Sequence, residues 1–268
     1  MLTDFGARDS YVASMRGAIL SLCRETILVD ISHDVSPQDV SDAAFILEGC
    51  RHSFPDRTVF LVVVDPGVGT QRRGLVVTEA RGIYVGPDNG VFDGVLGGTG
   101  AVAREIREPS LMASRVAPTF HGRDVFAPIA AHLAAGTDPS VVGPVIGDPV
   151  RLSRPRVVTG RDGLVVAQVV HVDHFGNLVT NLAVERSLGR SLDGVIVLVS
   201  CAGVERRLPL VATYGDVPPG NACSLVGSSG LLEVAVNGDH AARRLALGVG
   251  SMVRVWGLPS GALAGGML

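Results

Sequence analysis

Val59-Phe60-Leu61-Val62-Val63-Val64-Asp65-Pro66-Gly67-Val68-Gly69 decides the fold of this chain. Six consecutive apolar residues with no polar alternation read as a strand covered on both faces, as in a parallel sheet flanked by helices. The run ends in an acid on a glycine-proline turn. In open α/β sheets, ligands bind in the crevice beyond the carboxyl ends of the strands. Asp65 is therefore a site candidate from position alone.

Outward from that strand, residues 1–152 alternate strand-like and helix-like segments. Tyr11, Met15, Ala18, Ile19 and Leu22 recur at helical spacing behind an N-cap at Asp9 or Ser10. Ile27 to Ile31 reads as a short strand. Ser36-Pro37-Gln38-Asp39 resembles a helix start with a serine cap, and Val40, Ala43, Ala44 and Leu47 form the apolar face. Strands follow at Gly74–Thr78 and Ile83–Val85, then a helix from Asp124 to Ala135 that stops at Gly136. Helices interleaved with strands indicate an α/β domain with a mainly parallel sheet.

The rhythm changes after an Arg/Pro/Gly-rich junction at 151–163. Short strands at 164–172, 194–199, 207–211, 224–226, 231–236 and 252–255 are separated by glycine turns, which predicts a C-terminal antiparallel β-barrel over 153–268. Clefts between domains are favoured ligand sites.

Composition removes several chemistries. All 23 basic residues are arginines, so neither a pyridoxal Schiff base nor a phosphate-loop lysine is available. Those arginines are scattered among 26 acids for a net charge of −3, without the basic stripe that nucleic acid demands. No apolar stretch approaches the ~18 residues of a membrane span. Asp4, Arg8 and Asp9 are foreign to a signal sequence. Cys23, Cys50, Cys201 and Cys223 form no C-x-x-C pair and read as reduced, mostly buried residues of a cytoplasmic protein.

Three groups of residues are candidates for chemistry. Asp65, Arg72 and His121 combine an acid, a guanidinium and an imidazole that together can deprotonate water and stabilise the anion. The competing reading makes Asp65 a turn cap, Arg72 solvated and His121 a loop residue. Asp4, in a glycine turn after the first strand, has the geometry to accept two hydrogen bonds from ribose hydroxyls; Asp9 fits a helix cap better. The loop motif Val172-Asp173-His174-Phe175-Gly176-Asn177-Leu178-Val179-Thr180-Asn181 sets Asp, Asn and an aromatic around one glycine, which can meet an amine and a heteroaromatic base, although a β-turn uses the same Asp-Gly-Asn composition. His33-Asp34 near Asp30 is a weak metal reading, and no H-x-E or H-E-x-x-H spacing occurs.

Taken in order, Thr3-Asp4-Phe5-Gly6, Ile31-Ser32-His33-Asp34, Ser36-Pro37-Gln38-Asp39-Val40, Val63 to Thr70, Pro87-Asp88-Asn89-Gly90, Thr119 to Asp124 and Asp173 to Asn177 form one series. The series resembles the S-adenosyl-L-methionine hydroxide adenosyltransferases, relatives of the fluorinase and chlorinase. The resemblance implies attack of water-derived hydroxide on C5′ of S-adenosylmethionine, giving adenosine and methionine, without a metal or other cofactor. It further implies a homotrimer with sites between one subunit's N-terminal domain and a neighbour's C-terminal domain. The family's Asp-Arg-His set falls on Asp65, Arg72 and His121, with Arg73 as the adjacent alternative to Arg72. The ribose acid falls on Asp4. Phe120 joins the substrate contacts; adenine contacts fall on Phe175, Asn177, Gly238 and Tyr214; methionine contacts fall on Asp173, Ser228 and Glu233. Ser229 stands where the fluorinase has an arginine, and Gln38 where it has a tryptophan.

Halogenating relatives carry a tyrosine at the position of Asp65. A fixed carboxylate repels halide yet accepts a proton from water, and His121 is expected to add a second acceptor. The alternatives are a halide-using adenosyltransferase, a non-catalytic adenosine or S-adenosylmethionine binding module, and, more distantly, a metal-dependent phosphohydrolase.

Overall fold

The computed structural model describes residues 1–185, 194–201, 203–259 and 261–263. It divides into two compact units, Met1–Ser153 and Arg154–Leu268.

The first unit contains β1 (Leu2–Thr3), α1 (Tyr11–Leu22), α2 (Val40–Cys50), β2 (Thr58–Val63), β3 (Gly74–Thr78), β4 (Gly82–Pro87), α3 (Asp93–Leu96), β5 (Val102–Glu105) and α4 (Ala127–Ala134). The sheet order is β1-β2-β4-β3-β5. Pairings β1–β2 and β2–β4 are parallel, and those of β3 with β4 and β5 are antiparallel. Only β3 therefore runs against the others, because it joins β4 by a hairpin.

The unbroken apolar run is explained by the two cores. Leu61 and Val63 face one core with Met15 and Ile19 of α1 and Ile129 of α4. Phe60, Val62 and Val64 face the other, with Ala43 and Leu47 of α2 and Val95 of α3. Each side chain from Phe60 to Val64 thus meets a helix layer, and polar Thr58 is confined to the strand's less buried start. Burial of each such side chain contributes about 1.5–3 kcal/mol.

Several local readings are corrected. The buried face of α1 is Val12, Met15 and Ile19, while Tyr11 and Leu22 are about half exposed at 49% and 48%. Ser10 is the N-cap but makes no side-chain bond. The Ile27–Ile31 segment is not a strand. It lies along β1 through Ile31 N–H to Met1 O (2.7 Å) and Thr3 N–H to Ser32 O (3.0 Å), with one isolated bridge. Helix α2 starts three residues later than expected. Asp39 is its N-cap, accepting from Asp42 N–H at 2.9 Å, and Gln38 turns the chain at φ 65°. A π-helical turn, Gly122–Phe126, precedes α4. Helix α3 and strand β5 carried no periodic signal long enough to be read.

The second unit contains β6 (Val158–Thr159), β7 (Val165–Val172), β8 (Leu178–Ala183), β9 (Ile196–Cys201), β10 (Val204–Leu208), β11 (Ala222–Val226), β12 (Leu231–Val236), α5 (Ala241–Leu245) and β13 (Met252–Trp256). The order β10-β9-β13-β7-β8-β12-β11 is antiparallel throughout, with β6 on β7. Strand β7 turns a corner. Its first half pairs with β13 and its second with β8, across an irregularity between Val169 and His171. The two sheet ends come together where Val211 N–H bonds Ser224 O (2.9 Å) and Ser224 N–H bonds Pro209 O (2.8 Å). The sheet is a nearly closed barrel around Val165, Ala167, Val197, Leu232 and Val253.

Residues 178–181, read only as the end of a loop motif, lie in β8, and the strand expected at 207–211 is β10, at 204–208. Cys23, Cys50 and Cys223 are free thiols, of which only Cys223 is fully buried; the Cys201 side chain lies outside the described residues.

Candidate functional site

Asp65 emerges two residues beyond β2, in a tight turn closed by Val68 N–H to Asp65 O at 3.2 Å. A second turn follows, with Thr70 N–H to Gly67 O at 3.2 Å, and together they bring Arg72 back onto Asp65. Two glycines make this possible. A Cβ at Gly67 would lie 3.1 Å from Arg72 Cγ. Gly69 has φ 77°, and a Cβ there would be 2.9 Å from Pro118 O.

Arg72 Nε donates to Asp65 Oδ1 at 2.8 Å and Oδ2 at 3.0 Å, and Nη2 also donates to Oδ2. The pair is mostly withdrawn from water, with the Asp65 and Arg72 side chains 6% and 12% exposed. Arg72 Nη2 lies 2.9 Å from His121 Nδ1. A guanidinium can only donate, so Nδ1 accepts and the neutral ring carries its proton on Nε2. Burial, then the Arg72 charge, push the His121 pKa below its usual value, against a smaller opposing effect of Asp65. His121 therefore presents an N–H donor. The expectation that it adds a second proton acceptor is not met, because Arg72 occupies that lone pair. Arg72, not Arg73, pairs with Asp65; Arg73 instead binds Asp88 (2.8 Å) and Asp148 (2.9 Å).

Asp4 follows β1 at the same end of the sheet. Its Oδ2 accepts from Gln38 N–H at 2.8 Å. Next to it, Phe5, Tyr11 and Phe120 form an aromatic group with centroids 5.3–6.1 Å apart. Phe120 precedes His121 and carries the Arg123 guanidinium 4.9 Å above its ring. Asp124 fixes this loop by accepting from Ala117 N–H at 2.9 Å. Its pKa is depressed, chiefly by the Arg123 hydrogen bond and then by that from Ala117. Asp4, Asp65, Arg72, Phe120 and His121 thus gather around the carboxyl ends of β1 and β2. Tyr11, assigned only to the helix face by sequence, joins them.

The second unit collects the other candidates. An open pocket of about 790 Å³ is lined by Asp173, Phe175, Asn177, Tyr214, Ser228, Glu233 and Gly238, with Val236, Asp239 and His240. Asp173 and Asn177 close the β7–β8 turn. Asn177 donates its backbone N–H and its Nδ2 to the two Asp173 oxygens, both at 2.8 Å. The turn reading of this motif is correct, and the turn also builds the pocket wall. It leaves Phe175 75% exposed as a flat apolar face. Gly176 is required, since a Cβ would lie 2.1 Å from His240 Nδ1. Tyr214 donates to Glu233 Oε2 at 3.1 Å, and burial, then the Glu233 charge, push its pKa up to about 12. Glu233 is 7% exposed. An aromatic face beside three carboxylates suits a planar base attached to a cation.

His33 serves structure: its Nδ1 lies 2.8 Å from Thr3 Oγ1 and its Nε2 lies 3.0 Å from Asp30. Among the described residues, no three His, Cys, Asp or Glu side chains converge as a metal-ligand group.

Comparison with known proteins agrees with this layout. Residues 1–143 match the SAM hydroxide adenosyltransferase N-terminal domain, and residues 167–254 the corresponding C-terminal domain. A protein of Salinispora arenicola named (R)-S-adenosyl-L-methionine hydrolase is 41% identical over 94% of this chain and 95% of its own length. A fluorinase of an Actinoplanes species is 30% identical over 95% of both chains. A crystal structure of an uncharacterized conserved protein from Thermotoga maritima superposes with a TM-score of 0.88 at 35% identity, covering 96% of this chain and 98% of that one. The chain belongs to the SAM hydroxide adenosyltransferase family.

Proposed function

We propose that the protein hydrolyses S-adenosyl-L-methionine to adenosine and L-methionine. The observation that carries this reading is the Asp65–Arg72–His121 cluster at the sheet edge, within a chain more similar to the hydrolase relative than to the fluorinase. Oδ1 of Asp65, which accepts one bond from Arg72 where Oδ2 accepts two, retains acceptor capacity for a water. A water bound there loses its proton to the carboxylate as its oxygen attacks C5′. The new C5′–O bond forms as C5′–S breaks, and the bonding pair returns to sulfur. Arg72 and the His121 Nε2–H stabilise the developing hydroxide by charge and hydrogen bonding. Hydroxide and sulfonium neutralise one another on the way to the transition state, so a dry site favours reaction.

The leaving thioether is neutral and needs neither a general acid nor a Lewis acid, so the reaction is proposed to require no metal or organic cofactor. In the substrate complex, Asp4 binds the ribose, Phe120 packs beside it, and Phe175, Asn177, Tyr214 and Gly238 bind the adenine. Asp173, Ser228 and Glu233 bind the methionine ammonium end. Asp65 disfavours a halide nucleophile by charge repulsion. We further propose a cytoplasmic homotrimer in which each site combines groups from two subunits, as the family resemblance implies. No helix among the described residues is long and apolar enough to cross a membrane.

Incubation with S-adenosylmethionine and a chelator, followed by chromatography, is expected to yield adenosine and methionine. Binding without product overturns the reading in favour of a binding module, and 5′-chloroadenosine in concentrated chloride favours the halide reaction.

A further inference from the structure

The Pro87-Asp88-Asn89-Gly90 turn makes no hydrogen bond to the Asp65 or Arg72 side chain, yet it grips the backbone behind both. The β2–β4 ladder ends at the Leu61–Val85 pair, and Pro87, the last residue of β4, has no N–H to donate. Asn89 takes over the bonding with its side chain. Its Nδ2 donates to Val64 O at 2.9 Å, and its Oδ1 accepts from Val91 N–H at 3.2 Å. The Val64 carbonyl belongs to the peptide plane that carries the Asp65 nitrogen, so this bond sets the direction in which Asp65 leaves the strand.

The adjacent residue holds the other partner. Asp88 N–H donates to Arg73 O at 3.0 Å, the same carbonyl that accepts from Arg72 Nη1 at 3.3 Å. The Asp88 carboxylate, 1% exposed, binds the Arg73 guanidinium and accepts from Val150 N–H at 2.8 Å. Gly90 completes the turn at φ 96°, where a Cβ would be 2.9 Å from Leu152.

We infer that Asn89, supported by Asp88, is a positioning residue that holds Asp65 and Arg72 in register for attack. The inference rests on the hydrolytic reading for its kinetic consequence and on geometry alone for its structural one. The side-chain amide is oriented at both ends, so a carboxylate cannot replace it: Asn89→Asp places an oxygen against Val64 O. Misplacing a reacting group by about 1 Å costs on the order of a hundredfold in rate.

The test compares the wild type with Asn89→Asp and Asn89→Ala. Both variants are expected to lose about tenfold to a hundredfold in kcat, with KM changed less than about threefold, because the misplaced groups serve the attack more than ground-state binding. Acid discriminates further. In Asn89→Asp, protonation of the introduced carboxylate restores an O–H donor for Val64 O, so the Asn89→Asp to wild-type kcat ratio rises as pH falls through the carboxyl range. The ratio for Asn89→Ala stays flat. The charged groups around this turn are Asp65, Arg72, Arg73, Asp88, Asp93, Asp148 and Arg151, all common to the three proteins. Wild-type kcat in either variant, or equal losses in kcat and rises in KM, overturns the inference. The ¹⁵N signal of His121 Nδ1, assigned with His121→Gln, decides the structural part even where the wild type forms no adenosine. A shift in Asn89→Asp shows that the Arg72 bond has moved, and an unchanged signal overturns the inference.

Discussion

At the scale of single residues, the decisive contact is the buried Asp65–Arg72 pair. Asp65→Ala is expected to lower adenosine formation by ~10²–10⁴, the range for losing a general base. Removing the acid also strands a buried guanidinium, which costs about 3–5 kcal/mol. Asp65→Asn keeps hydrogen-bonding capacity, so a thermal melt beside the rate separates chemistry from folding; an active, folded Asp65→Asn would remove the carboxylate from the mechanism. His121 supplies a pH dependence with a definite sign. Its folded pKa lies below the ordinary value of 6.5, so between the two the unfolded chain binds more protons. Stability attributable to the neutral ring is present above 6.5 and declines on acidification toward the lower folded value. Protonation also removes the lone pair that Arg72 binds. Turnover should therefore fall on the acid side of neutrality, and a kcat–pH profile that remains flat there, or an identical acid limb in His121→Asn, would contradict this assignment.

At the scale of elements, the approach of two loops matters more than any one strand. Gly69→Ala meets both a left-handed backbone and the Pro118 carbonyl 2.9 Å away. Its expected effect is a loss of turnover through displacement of the Arg72 and His121 loops, readable as weakened Arg72–His121 coupling in the same kcat–pH profile. Helix α2 depends on a cap that the sequence suggested at the wrong residue. Asp39→Ala should destabilise by about 1 kcal/mol, whereas Ser36→Ala should cost roughly a few tenths, as urea midpoints would show. The reason lies in competition between turns: Asp39 N–H bonds Ser36 O at 3.0 Å, so Ser36 ends one turn and Asp39 opens the helix. Strand β2 is the least tolerant element. Leu61→Ala is expected to cost about 2–5 kcal/mol, since both helix layers close on the strand and leave little room to relax.

At the scale of the whole molecule, light scattering is expected to give three times the chain mass, and a monomer that retains full turnover would remove the proposed shared site. Much of the architecture was legible in local pattern. The double-sided apolar run required two helix layers, the glycine-spaced short strands required an antiparallel barrel, and an acid at a strand's carboxyl end marked the candidate site. These follow from periodicity and burial, which neighbouring residues report without knowledge of distant contacts. Sequence alone could not choose between Arg72 and Arg73, because one residue of turn geometry, fixed by Gly67 and Gly69, decides which guanidinium swings toward Asp65. Nor could it give the proton position on His121, which depends on a partner 49 residues away. The same holds for Asn89, whose amide acts on Val64 across the sheet. Chemistry was written in residue type and strand position; register, tautomer and support came from contacts that exist only after the loops meet.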